Sequence, residues 1–432
     1  MRRRFQPSGP LRGSSRPPGD KSISHRAALL AAMGEGTTRV DYYLDAADSR
    51  STLAAVAAIG AGVEAPPPGP HSMFVAIRGV GLRGAGEAAI DVGNAGTLLR
   101  LLPGWLAGQD AGTWTLDGDA SIRRRPVDRI AEPLRLMGAG VECREGRLPP
   151  LRVEAAPLRG ISYELPVASA QVKSCLLLAG LLAEGETQVV EPAPTRDHTE
   201  LMLAAAGAEV SRDGRAVSVR PVERLEPGRI FVPGDFSSAA FLLVATLIVP
   251  GSAMAFVDVG LNPTRTGLLG ILDRMGAQLE VEPEGEAGGE PLGIVRARHS
   301  ALAGTEIGGE EVPRAIDELP LVALAACFAE GTTVIRDAGE LRRKESDRIA
   351  TVAEALRALG GDVEPTEDGL VVTGRGGLRG GEIDSRGDHR IAMLGAIAGV
   401  ASEDGATVEG FEAVEVSYRG FEHVLRAHLG ER

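Results

Sequence analysis

The chain has 432 residues, 44% of them apolar and 24% charged, a balance expected of a globular protein of two or three domains. A formal net charge of -13 repels nucleic acid and anionic membranes at long range, so an anionic ligand has to be held by a local cluster of lysine and arginine. Aromatic residues make up 3%, too few for base-stacking platforms, and no apolar run reaches the ~18 residues of a membrane span.

The opening MRRRFQPSGPLRG is basic with no apolar stretch behind it, so no secretory signal is expected. Three well-separated cysteines, Cys143, Cys175 and Cys327, fit a reducing cytoplasm and offer no metal framework. RPPGDKSISHRAALLAAMGEGTTRV then predicts an Ala/Leu helix, a turn at Gly36 and a β-rich stretch. That pattern recurs along the chain, with turn glycines at Gly112, Gly185, Gly251, Gly331 and Gly405. A second pattern interleaves with it: a helix ending in Leu/Met-Gly-Ala and then a strand, as in LRLMGAGVE, ILDRMGAQLEVE and ALRALGGDVE, the glycine serving as a helix terminator. Six units of about 72 residues follow, each with two helices and several strands, most simply packed as two domains of three units in an α/β fold.

The chemistry gathers ahead of the first helix of each unit. The stretches are PPGDKSISHR, DVGNAGT, PVASAQVKS, VPGDFSS and RGDHR, with the acidic AIDELP in the fifth unit. Helix N-termini carry unpaired N–H groups and a partial positive charge, so several together make an anion trap. N-capping accounts for Asp20, Ser22, Asn94 and Ser237. It does not account for Lys21, Arg26, Lys173, Lys344, Arg348 and Arg390, cations set where they oppose the helix dipole; an anion among them would. GSSRPPGDKS is not a nucleotide-binding P-loop, because Asp20 stands between Gly19 and Lys21. In GDASIRRRPVDRI, Pro126 fixes the loop behind Arg125, so that a guanidinium fork can be aimed at a carboxylate or phosphate. In ELRRKESDR, Lys344 and Arg348 are spaced to share a helix face, with Glu345 beside them as an acid/base group. Asp317 and Glu318 are further carboxylate candidates. His25, His198 and His389 lie in these clusters without metal-ligand spacing, so no metal is expected.

Taken together, PGDKSISHRA, GNAGT, GDASIRRRP, ASAQVKS, TRDHTE, VPGDFSSAAF, NPTRTG, LRRKESDRI and DHRIAM, in this order, resemble the enolpyruvyl transferase family, in its branch that acts on shikimate 3-phosphate. The resemblance implies a two-domain inside-out α/β barrel, each domain built of three βαβαββ repeats with pseudo-threefold symmetry: residues 17–235 in one, 1–16 plus 236–432 in the other, with the active site in the cleft between them. It implies transfer of the enolpyruvyl group of phosphoenolpyruvate to the 5-hydroxyl of shikimate 3-phosphate through a tetrahedral intermediate, without a cofactor, by a cytoplasmic monomer. Lys21, Ser22, Arg26, Ser169, Gln171, Arg196, Asp317 and Lys344 would meet shikimate 3-phosphate. Lys21, Gly96, Arg125, Gln171, Arg348 and Arg390 would meet phosphoenolpyruvate. Asp317 would take the hydroxyl proton, and Glu345, or Lys21 in its place, would protonate the methylene carbon. Gly96 stands at the family's herbicide position, which implies sensitivity to glyphosate.

The sequence departs from the family pattern where many members carry a lysine near the C-terminus: here EVSYRGF puts Val416 in that place and Arg419 in place of a proline. Ala170 stands where others have a second serine, and Leu101 where some have proline. The sister enzyme acting on UDP-N-acetylglucosamine uses a loop cysteine that GDASIRRRP lacks. A non-catalytic phosphosugar-binding protein would have no need of Asp317 and Glu345.

Overall fold

The computed structural model describes residues 1–69 and 71–430. The backbone divides into two compact units, one of Gly19–Pro233 with Glu286–Glu290, the other of Met1–Pro18, Gly234–Gly285 and Pro291–Arg432.

In the 19–233 unit the repeat is plainest in its middle copy. Strand Ala88–Asp91, helix Gly96–Ala107, strand Thr113–Asp117, helix Asp128–Met137 and strands Gly140–Arg144 and Leu148–Glu154 follow in βαβαββ order. The first two strands pair in parallel, and the last two add antiparallel beyond the second. Leu148–Glu154 alternates buried and exposed residues, so one face of this sheet covers the helices and the other meets solvent. The helices between strands are of two kinds. Gly96–Ala107 buries nearly every residue, whereas Asp128–Met137 buries Ile130, Ala131, Pro133, Leu134 and Met137 and exposes its other side. A helix apolar all round belongs inside and an amphipathic one at the surface, and the sequence assigns each accordingly. The first repeat borrows its parallel edge strand from Ile230–Phe231, which pairs with Val40 and Asp41.

The 234–432 unit repeats the plan around three inner helices, Phe236–Ile248, Leu319–Phe328 and His389–Ala401, which pack on one another. The first is buried along its whole length. Two short polar segments of the N-terminal stretch complete this unit's sheets. Arg12–Ser15 pairs in parallel with Ala253–Phe256, and Arg2–Phe5 runs antiparallel to Ala406–Glu409. The turn glycines that mark the repeat lie at positive φ in both units, Gly36 at 78° and Gly331 at 89° among them, where a side chain would be strained.

The recurring Pro-Gly-Asp of PPGDKS and VPGDFSS has a packing cause. In each unit the strand that follows the first inner helix carries a bulge, with Tyr42 at φ 64° and Asp258 at φ 53°. The glycine lies against that bulge: a Cβ on Gly19 would stand 2.0 Å from the Tyr42 carbonyl oxygen, and one on Gly234 3.0 Å from that of Asp258. The aspartate that follows is thereby set at the start of the inner helix.

Candidate active site

In the 19–233 unit, Asp20 caps helix Lys21–Met33, its carboxylate accepting from the Ile23 N–H at 2.8 Å. Only the opening of this helix is polar and accessible; from Ile23 to Met33 every residue is buried. Lys21 Nζ lies 3.3 Å from Asp48 Oδ2. Burial works against the charge of Asp48, but Lys21 and His25 outweigh it and hold its carboxyl well below the usual carboxylate range. Arg26, one turn on, is buried and fully engaged. Its Nε donates to Thr199 Oγ1 at 2.6 Å, Nη1 to the Ser22 carbonyl at 2.9 Å and Nη2 to Ser174 Oγ at 2.8 Å. Each of these partners is a hydroxyl or a carbonyl, so the guanidinium is oriented by neutral groups, while the carboxylates of Glu200, Asp20 and Glu290 favour its charge from nearby. Burial draws the Arg26 pKa down to about 10 against the opposing fields of those three carboxylates, with Arg196 acting on the side of burial.

The other two inner helices of this unit bring up further polar groups. Ser169 caps Ala170–Gly180, its Oγ accepting from the Val172 N–H at 3.4 Å. Gln171 accepts from Arg100 Nη1 at 2.9 Å and donates to Thr97 Oγ1 at 3.3 Å, tying this helix to the start of Gly96–Ala107. Arg125 follows a 3-10 turn, Ile122–Arg124, that Asp119 organises by accepting from the Ser121 and Ile122 N–H groups. Its guanidinium lies over Gly96, where a Cβ would come 2.7 Å from Arg125 Nη1.

In the 234–432 unit the centre is Asp317, just ahead of helix Leu319–Phe328. Its carboxylate faces Arg348 Nη1 at 3.3 Å, Lys344 Nζ at 3.6 Å, Arg390 Nη2 at 3.8 Å and Arg265 Nη1 at 3.9 Å. Arg348 opens helix Arg348–Ala358 and is 1% exposed. It donates to Glu345 Oε2 at 2.6 Å and to Asp388 Oδ2 at 2.8 Å. Burial opposes the Arg348 charge, yet Glu345, Asp388 and Asp317 outweigh it, so its pKa is raised above the ordinary arginine value. Asp388 is held low in turn: burial works against it, and Arg348 and His389 more than compensate. This carboxylate also caps helix His389–Ala401 through the Arg390 N–H at 2.9 Å. The arrangement pairs a carboxylate able to accept a proton with cations able to hold an anion against it.

The family model for EPSP synthase (3-phosphoshikimate 1-carboxyvinyltransferase) matches residues 5–425. The chain belongs to the EPSP synthase family. It is 52% identical over 421 residues to the 3-phosphoshikimate 1-carboxyvinyltransferase of Thermus thermophilus, covering 97% of this chain and 96% of that one. It is 51% identical over 422 residues to the enzyme of that name in a Synechococcus species, covering 96% of this chain and 94% of that one. A solved EPSP synthase from Acinetobacter baumannii superposes with a TM-score of 0.89 at 43% identity, covering 100% of this chain and 98% of that one. The EPSP synthase resemblance read from the motifs and the α/β fold expected from it both hold.

Among the expected EPSP synthase site residues, Lys21, Ser22, Arg26, Gly96, Arg125, Ser169, Gln171 and Arg196 fall in the 19–233 unit, and Asp317, Lys344, Glu345, Arg348 and Arg390 in the other. Within the second, all five belong to the cluster around Asp317 and Arg348. Lys173 differs from expectation. It is fully buried, 3.0 Å from Glu191 Oε1 and 2.7 Å from Glu200 Oε1, with Arg212 beside the same carboxylates, so its anions are the protein's own. Lys344 precedes helix Arg348–Ala358 rather than sharing a face of it, and reaches Asp317 from the end of the 3-10 turn Gly339–Arg343. Ser22, Asn94 and Ser237 are not the caps; Asp20, Ser169, Asp235 and Asp388 are. Arg419 pairs with Glu415 at 3.3 Å on a partly exposed turn. Sequence reasoning missed Asp48, which lies in no motif, and gave no role to Arg265 of NPTRTG or Asp388 of RGDHR, although both motifs were in view.

Proposed function

We propose that the two cation clusters serve one reaction. The chain transfers the enolpyruvyl group of phosphoenolpyruvate to the 5-hydroxyl of shikimate 3-phosphate, giving 5-enolpyruvylshikimate 3-phosphate and inorganic phosphate, the activity of the shikimate pathway in aromatic amino acid biosynthesis. Lys21, Ser22, Arg26, Ser169, Gln171 and Arg196 bind shikimate 3-phosphate, with Lys344 on its ring. Lys21, the Gly96 backbone, Arg125, Gln171, Arg348 and Arg390 bind phosphoenolpyruvate. Asp317 accepts the proton of the 5-hydroxyl as its oxygen bonds to C2 of phosphoenolpyruvate, while Glu345 delivers a proton to C3. The tetrahedral adduct then loses a C3 proton and expels phosphate. The charge of the reacting anions is balanced by fixed guanidinium and ammonium groups that need little reorganisation during the reaction.

The observation that carries this reading is the Asp317 carboxylate, held within 4 Å of Lys344, Arg348 and Arg390: a base placed among anion-binding groups. The enzyme works as a cytoplasmic monomer without a cofactor. It is inhibited by glyphosate, which the absence of a side chain at Gly96 accommodates. Phosphate release, measured with both substrates together and with each alone, tests the reading. Release only with both supports it, and equal release from phosphoenolpyruvate alone would count against transfer.

A further inference from the structure

One buried group in the 234–432 unit has no part in this chemistry. Glu318, next to Asp317, is 0% exposed. Its neighbours come from all three inner helices of the unit. Its own backbone is the N-cap of Leu319–Phe328. Its Oε1 accepts from the hydroxyl of Ser237, in the first turn of Phe236–Ile248. The same oxygen lies 3.7 Å from Nη1 of Arg390, in the first turn of His389–Ala401, and 3.5 Å from Nη1 of Arg265. Arg265 is itself 4% exposed and donates through Nη2 to Asp235 Oδ1 at 3.2 Å, the carboxylate that caps Phe236–Ile248 through the Ser237 N–H at 2.7 Å. Arg390 Nη1 donates back to the Asp317 carbonyl at 3.2 Å.

We propose that Glu318, with Arg265, is the positioning residue that sets Arg390 and the Asp317 backbone for phosphoenolpyruvate. The inference rests on the roles given above to Arg390 and Asp317. Three helix N-termini and two guanidinium groups meet at this point. Asp235 and the Asp317 carboxylate meet these charges from one side each, and Glu318 adds a buried carboxylate that faces both guanidinium groups, where the surrounding positive charge stabilises it. Arg390 is the only member of the group reached by Glu318 that is assigned to substrate. A carboxylate on its inner side fixes which edge of the fork points outward, because the guanidinium is planar and its donors lie in fixed directions. Glu318 touches no substrate and acts through Arg390.

Glu318→Gln keeps the side-chain shape and can still accept from Ser237, but loses the charge. The variant should raise KM for phosphoenolpyruvate about tenfold and leave the dissociation constant for shikimate 3-phosphate within twofold of the parent. Arg265→Lys, which keeps the charge and loses the fork, should move the same parameter in the same direction. A KM for phosphoenolpyruvate that is unchanged or lower in both variants overturns the proposal, as does an equal weakening of both substrates, which would mark Glu318 as a packing residue only. Arg390→Lys, run alongside, separates the two levels. If it leaves KM for phosphoenolpyruvate untouched, the role given to Arg390 fails; if it raises KM while Glu318→Gln does not, only the positioning role fails.

Discussion

The cations of the two units are held by different kinds of hydrogen-bond partner. In the 19–233 unit Arg26 bonds to two hydroxyls and a carbonyl, Arg100 to an amide and a carbonyl, and Arg125 lies over a glycine. Carboxylates stand near these cations too: Asp48 faces Lys21, the fields of Glu200, Asp20 and Glu290 reach Arg26, and Asp119 feels the charge of Arg125. In the 234–432 unit Lys344, Arg348, Arg390 and Arg265 are interleaved with Asp317, Glu318, Glu345, Asp388 and Asp235. The first arrangement orients Arg26 and Arg100 through hydroxyl, amide and carbonyl contacts, a setting that suits the proposed binding of a phosphate dianion. The second is close to neutral and suits a site where protons move among carboxylates while cations steady the anions they meet. On the function proposed above, the same repeat, with the same helix N-termini, serves as a binding half and a proton-transfer half by the choice of partners.

The strongest test of that division is Asp317→Asn. If the carboxylate is the base, kcat should fall by roughly 10²–10⁴, the usual contribution of general-base catalysis, while shikimate 3-phosphate binds nearly as before. Titration calorimetry beside a phosphate-release assay reads both quantities, and turnover that survives the substitution breaks the comparison at its catalytic side. Lys21→Met addresses the other unit. If Lys21 meets the phosphate as proposed, the substitution removes one charge-assisted contact, worth about 1.5–3 kcal/mol, so the dissociation constant should rise roughly 10- to 100-fold and its dependence on salt should weaken. An unchanged affinity at low salt would show that this unit's exposed charge is not the phosphate's partner.

A smaller effect is expected at the junction of helix and loop. In Gly96→Ala the new methyl would lie 2.7 Å from Arg125 Nη1, so the guanidinium, the mobile end of its side chain, must move aside. KM for phosphoenolpyruvate should rise about tenfold with glyphosate inhibition weakened at least as much, the loss of about 1.4 kcal/mol in one oriented contact. An inhibition constant identical to the parent's would mean that Arg125 and Gly96 are neighbours without shared function.

The fold was legible because its signals are local and repeated. Helices such as Phe236–Ile248, apolar on all sides, and turn glycines such as Gly331 report their own surroundings. Strands Arg2–Phe5 and Arg12–Ser15 were not legible as strands: they are short, polar and largely exposed, and are extended only because Ala406–Glu409 and Ala253–Phe256 offer them an edge. The site divides along the same line. That cations stand at helix starts can be read from spacing; which anion each one meets cannot. Lys173 and Lys344 look alike in sequence, yet the first is sealed between Glu191 and Glu200 and the second faces Asp317, and those partners are brought up by other elements of the fold.

Asp48 is the carboxylate that faces Lys21 directly in the 19–233 unit, and acid titration measures what that pair contributes. Its carboxyl is held below the unfolded value of about 3.9, with burial opposing and Lys21 and His25 favouring its charge. A depressed carboxylate adds stability that is fully present above the unfolded pKa and disappears as pH falls through the folded one. Asp48→Asn should therefore lower Tm most between pH 5 and 7, and the difference from the parent should shrink as pH drops below about 4, where the unfolded chain takes up a proton that the folded carboxylate accepts only at still lower pH. Thermal melts of the two proteins across that range give the answer. Curves that stay parallel to low pH would mean that Asp48 contributes no ionised pair to the folded state.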